Sequence, residues 1–168
     1  HLASDIREVE VAQAELGARV ILVGRNPDKV EATRREIVAT TGNDNVAVAL
    51  ADLSLLADVR KLARRLLKTE PRIHVLVNNA GVLLNQRTTT AEGNEATLAT
   101  NLLAPYLLTQ MLLPRLRESA PSRIINVSSG GMYASGLALD DLQYEKTSYD
   151  GNRAYARAKR ALVTLTEM

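Results

Sequence analysis

The chain has 168 residues, of which 46% are hydrophobic and 24% charged, which is typical of one folded domain and excludes a disordered chain. Cysteine is absent and only two histidines are present, so we predict neither disulfides nor a metal site. A net charge of +2 and the lack of Trp and Phe argue against a nucleic-acid partner. We expect a cytoplasmic protein, because the sequence shows neither an uncharged apolar run of about 18 residues nor a signal peptide.

Apolar runs alternate with amphipathic stretches along the chain. Short continuous runs rich in β-branched residues are typical of buried strands, whereas apolar residues at helical spacing predict helices. Turn-forming residues separate these segments. In chain order the pattern predicts a helix over 7–15, a strand over 19–23, a helix over 28–40, a strand over 46–50, a helix over 55–68, a strand over 73–77, a helix over 93–118, a strand over 123–127, a loop over 130–150 and a helix over 151–168.

Particular residues set some of these boundaries. Asn26 followed by Pro27 is typical of a helix start, because Asn caps free N–H groups and Pro fits the first turn. Ser54 is the predicted N-cap of the next helix. Pro105 predicts a kink inside the long helix, and Pro114 predicts a second kink or an early stop.

Strands that alternate with helices predict an α/β fold with a parallel sheet. The strand runs are continuously apolar, so we expect both faces of the sheet to be covered. We find no repeat or linker and predict a single domain over 1–168.

Ligand sites in parallel sheets lie at the carboxyl ends of the strands. Four clusters follow predicted strands and are expected to line one edge, namely Gly24–Arg25, Asp52–Leu53, Asn78–Gly81 and Ser128–Ser129.

Tyr155 and Lys159 are four residues apart and therefore share one helix face. A free phenol is a poor base at neutral pH, and a nearby ammonium makes a phenol more acidic, as general acid–base catalysis requires. The alternative is an unrelated surface pair, since many helices contain one.

Three further groups of residues make an unrelated surface pair a weaker explanation, although each also has an ordinary structural interpretation. Ser129 could polarise a carbonyl oxygen, although a serine after a strand is usually a turn residue. The small residues of 78–81 would let the backbone approach a flat ligand, although they could equally form an Asx turn. Asn101 lies in a predicted helix, where Asn is disfavoured unless it is exposed or bonds back to the backbone.

Taken together, these residues resemble the short-chain dehydrogenase/reductase family from about residue 17 to the end of the chain. The segments 141–146 and 149–151 resemble its retinol-dehydrogenase-like branch. The resemblance rests on the order and spacing of four motifs, which are Asn78-Asn79-Ala80-Gly81, Asn101, Asn126-Val127-Ser128-Ser129 and Tyr155-x-x-x-Lys159. It implies a Rossmann-like, doubly wound parallel sheet.

The resemblance also implies a role for each residue. Tyr155 would be the acid/base on the substrate oxygen, and Lys159 would make that phenol more acidic and bind the nicotinamide ribose. Ser129 would orient the substrate oxygen, and Asn101 would hold a water relay behind Lys159. The predicted adenosine contacts are Asp52, Leu53, Asn79, Ala80 and Gly81.

Arg25 bears on the choice of cofactor. In dinucleotide-binding folds an acidic residue near this point binds the ribose 2′-hydroxyl, whereas an arginine accommodates a 2′-phosphate. The run Val23-Gly24-Arg25-Asn26 contains an arginine and no acid, which favours NADP over NAD. The alternative is a solvated arginine beside a helix start.

The sequence also departs from the family pattern. Residues 1–7 contain none of the glycines that form the family's phosphate-binding turn, and the first strand and the last strands have no counterpart. We therefore expect two half-sheets with unpaired edges. The chain is either part of a longer protein, or its fold is rearranged or completed by a partner.

We predict an oxidoreductase that transfers hydride between NADP(H) and an alcohol or carbonyl substrate. The alternative is a truncated, catalytically inactive relative that acts as a binding or assembly partner, and a third hypothesis is a nucleotide-binding regulator. Whether the chain forms a homo-oligomer is left open.

Overall fold

The computed structural model describes residues 10–167, which separate into two compact units. The first ends at Asp52 and the second begins at Leu53. Each unit contains one two-stranded parallel sheet, as expected for half-sheets. Residues 10–15 are helical, as predicted, whereas the glycine-free turn of residues 1–7 lies outside the described residues. The single domain over 1–168 stays a prediction.

The first unit pairs β1 (Val20–Gly24) with β2 (Val46–Leu50) in parallel, joined by α1 (Pro27–Thr41). The Asn26 side chain accepts a hydrogen bond from the N–H of Lys29 at 2.9 Å, so the predicted cap is confirmed. The helix ends at Gly42, whose φ of 70° is readily adopted by glycine.

Apolar side chains from all elements of the first unit form one core. The buried members of the core are Ala14, Leu22, Ile37 and Val46.

The turn after α1 is fixed to the segment that precedes β1 by Asn43. Its Nδ2 donates hydrogen bonds to the carbonyl oxygens of Ala14 at 2.8 Å and Ala18 at 2.9 Å.

The second unit also follows the predicted alternation. Its strands β3 and β4 are parallel, with Val75 opposite Arg123 and Asn78 opposite Asn126. The helix between them packs against the other two helices of the unit. The elements are α2 (Leu56–Thr69), β3 (Val75–Asn78), α3 (Ala96–Glu118), β4 (Arg123–Asn126) and α4 (Gly151–Thr166).

One face of β3 and β4 is only partly covered within residues 10–167, whereas the sequence predicted a sheet buried on both faces. Val75, Val77 and Ile125 are 38%, 39% and 42% exposed. Alternate residues of a strand point to opposite faces, and the residues on the other face, Leu76, Asn78, Ile124 and Asn126, are less exposed.

The long helix α3 contains a π-helical segment, Ala99–Leu103, which ends two residues before Pro105. A proline has no N–H and its ring collides with the carbonyl four residues earlier, so a wider turn accommodates it. The helix is thus locally irregular beside Pro105, and the kink predicted there stays a prediction. Pro114 does not stop it, because the helix continues to Glu118.

By length and composition alone, α3 is the one helix among residues 10–167 that could cross a membrane. Most of it is buried against the rest of the second unit. A buried core helix passes the same test, so this is weak evidence for a membrane segment.

The N-cap predicted at Ser54 is wrong, because α2 begins at Leu56 after Leu55. Leu55 supplies no side-chain cap. Instead, the carboxylate of Glu92 accepts hydrogen bonds from the N–H groups of Leu56 at 2.6 Å and Ala57 at 2.8 Å. A residue 36 positions away thus caps the helix, which local sequence signals cannot reveal.

Replacement of Glu92 with alanine should destabilise the second unit by about 1 kcal/mol, the usual cost of a lost N-cap. Thermal and urea unfolding measure the change. The matched control is Glu145→Ala, since Glu145 is exposed and its carboxylate has no partner among the described residues. Equal stability of the two variants would contradict the capping role of Glu92.

Candidate active site

The helix α4 presents Tyr155 and Lys159 one turn apart. Asp150 caps it by accepting a hydrogen bond from the N–H of Arg153 at 2.8 Å. Its first residue, Gly151, packs so closely on the backbone of Leu84 that a side-chain carbon there would collide with the Leu84 carbonyl. The start of α4 is therefore fixed both by its cap and by backbone packing.

Lys159 is a buried amine, with only 2% of the residue exposed. Its Nζ donates a hydrogen bond to the carbonyl oxygen of Val127 at 2.7 Å and lies 5.8 Å from the ring centre of Tyr155. Burial lowers the pKa of Lys159 from its ordinary value of 10.5. The surface-pair alternative is therefore wrong for Lys159, while Tyr155 is half-buried.

Asn101 lies in the π-helical segment and is fully buried. Its Oδ1 accepts from the N–H of Val82 at 2.8 Å, and its Nδ2 donates to the carbonyl oxygen of Val82 at 2.9 Å. A carbon added to Gly81 would lie 3.5 Å from both Asn101 Oδ1 and Lys159 Nζ. Gly81, Asn101 and Lys159 therefore meet at one point.

Ser129 follows β4 in extended conformation and begins a 3-10 turn over Gly130–Ala134. Its hydroxyl oxygen accepts a hydrogen bond from the N–H of Gly131 at 3.3 Å, so it is a turn residue. Among residues 10–167 its hydroxyl proton has no acceptor. The turn packs against α4, which brings Ser129 and Tyr155 onto neighbouring elements.

The two asparagines of the 78–81 motif differ in environment. Asn78 is buried, and its Nδ2 donates to Thr109 Oγ1 at 3.0 Å and to Asn126 Oδ1 at 2.8 Å. Asn78 thus fixes the strand ends, and these bonds do not form an Asx turn. In contrast, Asn79 Oδ1 is buried without a hydrogen-bond partner among the described residues. Ala80 and Gly81 are exposed beside it.

In the first unit, Arg25 and Asp52 follow β1 and β2. Arg25 Nη1 lies 3.9 Å from Asp52 Oδ2, and the arginine side chain is 70% exposed. An exposed ion pair at this distance contributes little stability, so Arg25 can exchange this partner at small cost. The solvated-arginine alternative stays open.

The loop before α4 is organised around Asp141. Its carboxylate accepts hydrogen bonds from the Thr147 hydroxyl at 2.8 Å and from the N–H groups of Glu145, Lys146 and Thr147. Partial desolvation acts to raise the pKa of Asp141, but these hydrogen bonds outweigh it and hold the pKa below 3.8. The segment predicted as loop is thus a defined set of turns.

Glu95 and Tyr149 contact each other between α3 and the loop before α4, and the sequence assigned neither residue a role of its own. Glu95 is buried and caps α3. An acidic residue just before a helix is a known start signal, but the helix predicted from residue 93 concealed it. The segment 149–151 contributed to the family resemblance, but the partners of Tyr149 are distant in sequence, so no local pattern indicates its bonds.

Comparison with known proteins decides the family. Residues 7–139 match the family profile described as short chain dehydrogenase. The chain belongs to the short-chain dehydrogenase/reductase family. The α/β arrangement with parallel strands is accordingly part of the Rossmann fold of this family.

Several members of the family are similar to this chain. It is 42% identical over 154 residues to dehydrogenase/reductase SDR family member 12 of Bos taurus, covering 92% of this chain and 48% of that protein. It is 41% identical over 161 residues to retinol dehydrogenase 11 of Homo sapiens, covering 96% and 50%. The retinol-dehydrogenase-like resemblance is thereby confirmed.

A solved structure supports the fold. The crystal structure of a metagenomic short-chain oxidoreductase in complex with NADP matches with a TM-score of 0.73 and 32% identity, covering 96% of this chain and 67% of that one. The chain spans about half the length of the curated relatives it matches.

Proposed function

We propose that this short-chain dehydrogenase/reductase chain carries the acid/base site of an enzyme that transfers hydride between NADP(H) and an alcohol or carbonyl substrate. The observation that carries the proposal is that the Lys159 ammonium is buried beside the Tyr155 ring. Asn101 and Gly81 lie next to the same ammonium. A buried amine beside a half-buried phenol is an arrangement suited to proton transfer.

Each residue contributes a distinct step. Tyr155 protonates the carbonyl oxygen during reduction and removes the proton from the alcohol during oxidation. Lys159 stabilises the negative charge that the phenol oxygen acquires when it gives up its proton during reduction, and that it carries before it takes the alcohol proton during oxidation. The Ser129 hydroxyl donates a hydrogen bond that orients the substrate oxygen and keeps its own proton, and Asn101 holds the region behind Lys159 in place.

The residues of the second unit fit a nicotinamide cofactor. Asn79 Oδ1, a buried acceptor without a partner among residues 10–167, suits a ribose hydroxyl, because leaving such an atom unpaired is costly. The Lys159 ammonium has three N–H donors, and among the described residues only one of them is used, in the hydrogen bond to the Val127 carbonyl oxygen. The other two can bind a ribose. The bound nicotinamide supplies or accepts the hydride.

The preference for NADP rests on Arg25. An exposed guanidinium with one weak ion pair can bind a 2′-phosphate through two parallel hydrogen bonds. The similar metagenomic oxidoreductase, which was solved with NADP, supports the same choice. Asp52 and Leu53 are proposed to contact the adenine.

The substrate proposed is an apolar alcohol or its aldehyde. Several similar proteins are named retinol dehydrogenases. Large apolar side chains are exposed after Gly81 and on the segment that follows Ser129, and these are Leu83, Tyr133, Leu137 and Leu139. Exposed apolar surface of this kind suits an apolar ligand.

A fluorescence titration with NADPH tests the proposed function, with saturation expected below millimolar cofactor. Arg25→Ala should weaken NADPH binding by between about 10-fold and 100-fold and leave NADH binding unchanged, since a charge-assisted hydrogen-bonded contact is worth about 1.5–3 kcal/mol. The control is Arg64→Ala, at an exposed arginine of α2. An unaltered ratio of the two affinities would refute the assignment of Arg25, and the absence of saturable binding would favour an inactive binding or assembly partner.

A further inference from the structure

Glu95 is a buried carboxylate that the proposed chemistry does not use. Only 1% of the residue is exposed. Its two oxygens accept hydrogen bonds from the N–H groups of Thr97 at 2.9 Å and Leu98 at 2.7 Å, which caps the start of α3. Its own N–H donates to Gln143 Oε1 at 2.9 Å. Glu95 is therefore bonded both to α3 and to the loop before α4.

The hydroxyl of Tyr149 completes this cluster. It donates to Glu95 Oε1 at 3.3 Å and lies 3.0 Å from Thr97 Oγ1. An ionised carboxylate only accepts hydrogen bonds, so the phenol proton points to Glu95 and Thr97 donates to the phenol oxygen. Burial is the main cause that raises the pKa of Tyr149, which keeps this proton in place at neutral pH.

The cluster joins the two helices that carry the proposed site. Thr97 lies one helical turn before Asn101 on α3. Tyr149 directly precedes Asp150, the cap of α4, and Tyr155 and Lys159 follow on that helix. The bonds of Tyr149 to Glu95 and Thr97 therefore add a polar contact to the apolar packing of Leu98 and Leu102 on α3 against Ala161 and Leu162 on α4.

We propose that Glu95 is a positioning residue, which acts through the Tyr149 hydroxyl to hold the start of α4 against α3 so that Lys159 stays buried beside Asn101 and Tyr155. This inference rests on the proposed function for its effect on catalysis, but not for its effect on the environment of Lys159. Displacement of a reacting group by about 1 Å can lower the rate about 100-fold. The Tyr149 hydroxyl, which links α3 to the start of α4, can therefore affect turnover.

The neighbouring tyrosine offers a matched control. Tyr144 is buried, and its ring packs edge-to-face on that of Tyr149 with centroids 5.2 Å apart. Its hydroxyl has no hydrogen-bond partner among residues 10–167. Tyr144→Phe thus removes a buried hydroxyl from the same loop without breaking a bond, whereas Tyr149→Phe keeps the ring and breaks two.

The experiment compares Tyr149→Phe, Glu95→Gln and Tyr144→Phe with the unmodified chain. One measurement is kcat, KM and the dissociation constant of NADPH. The other is the pH dependence of Lys159 acetylation, followed by mass spectrometry, which requires no turnover. We expect Tyr149→Phe to lower kcat by between about 10-fold and 100-fold while the chain stays folded, with a decrease in the free energy of unfolding from the two lost hydrogen bonds. The acetylation midpoint of Lys159 should shift upward as the amine becomes hydrated.

Glu95→Gln should produce the same shift, and Tyr144→Phe should produce neither effect. An unmodified chain without turnover would overturn the proposed function, yet an acetylation shift confined to the Tyr149 and Glu95 variants would still support the positioning role. An unchanged midpoint in Tyr149→Phe, or an equal shift in Tyr144→Phe, would overturn the role of Glu95. Tyr149→Phe keeps the cap of α3 intact, so it remains informative if Glu95→Gln does not fold.

Discussion

Replacement of Tyr155 with phenylalanine should lower kcat by between about 100-fold and 10,000-fold, the range that a positioned general acid or base contributes. The phenylalanine ring occupies nearly the same volume, and Lys159 would keep its hydrogen bond to Val127. The fold and the affinity for NADPH should therefore be preserved. Steady-state kinetics and the NADPH titration measure the two effects separately.

The control for this variant is Tyr106→Phe. Tyr106 lies on α3 and is 49% exposed, so the loss of its hydroxyl should leave both activity and stability unchanged. Turnover by Tyr155→Phe at the rate of the unmodified chain would remove the phenol from the mechanism. A parallel loss of NADPH binding would instead indicate a structural role for the hydroxyl.

Replacement of Lys159 with methionine should also reduce turnover by at least about 100-fold, and it should change how stability depends on pH. Burial lowers the pKa of Lys159 below 10.5. Between that lowered pKa and 10.5 the unfolded chain binds more protons than the folded chain, so the free energy of unfolding rises with pH across this window. Below the window the lysine is protonated in both states, and its buried charge reduces stability.

Methionine carries no charge, so the rise in the free energy of unfolding should be lost in Lys159→Met. Urea unfolding at a series of alkaline pH values measures it. The comparison variant is Lys68→Met, since Lys68 is exposed on α2 and has no partner among the described residues. If Lys159→Met and the unmodified chain had parallel stability curves, the amine would not be desolvated as described.

The sequence predicted the alternation of strands and helices well, because burial on a regular backbone leaves a periodic pattern. The strand over 46–50 agrees with β2 (Val46–Leu50), and Asn26 caps α1 as its residue type indicates. Ser54 failed as a cap because a carboxylate from a distant turn occupies that role. Pro114 failed as a stop because the helix continues past it to Glu118.

In the candidate site, too, the sequence predicted some features and only the structure revealed others. The motifs named Asn101, Ser129, Tyr155 and Lys159, and the structure brings Asn101 and Lys159 to one point beside Gly81. Their chemical roles, and those of Arg25, Asp52, Leu53, Asn79 and Ala80, stay predictions. Asn101 was ambiguous in the sequence, since only the fold shows that its amide bonds the backbone of Val82 instead of facing solvent.

The amino-acid sequence by itself determined the α/β class, the family and the residues that could transfer a proton, because local periodicity and motif spacing are written along one chain. Only the tertiary structure decided that Lys159 is desolvated, that the buried oxygen of Asn79 has no hydrogen-bond partner within residues 10–167, and that Glu95 and Tyr149 join α3 to the segment before α4. Burial and hydrogen bonding between distant residues depend on packing in three dimensions, and a one-dimensional pattern does not encode which distant atoms come within 3 Å of each other.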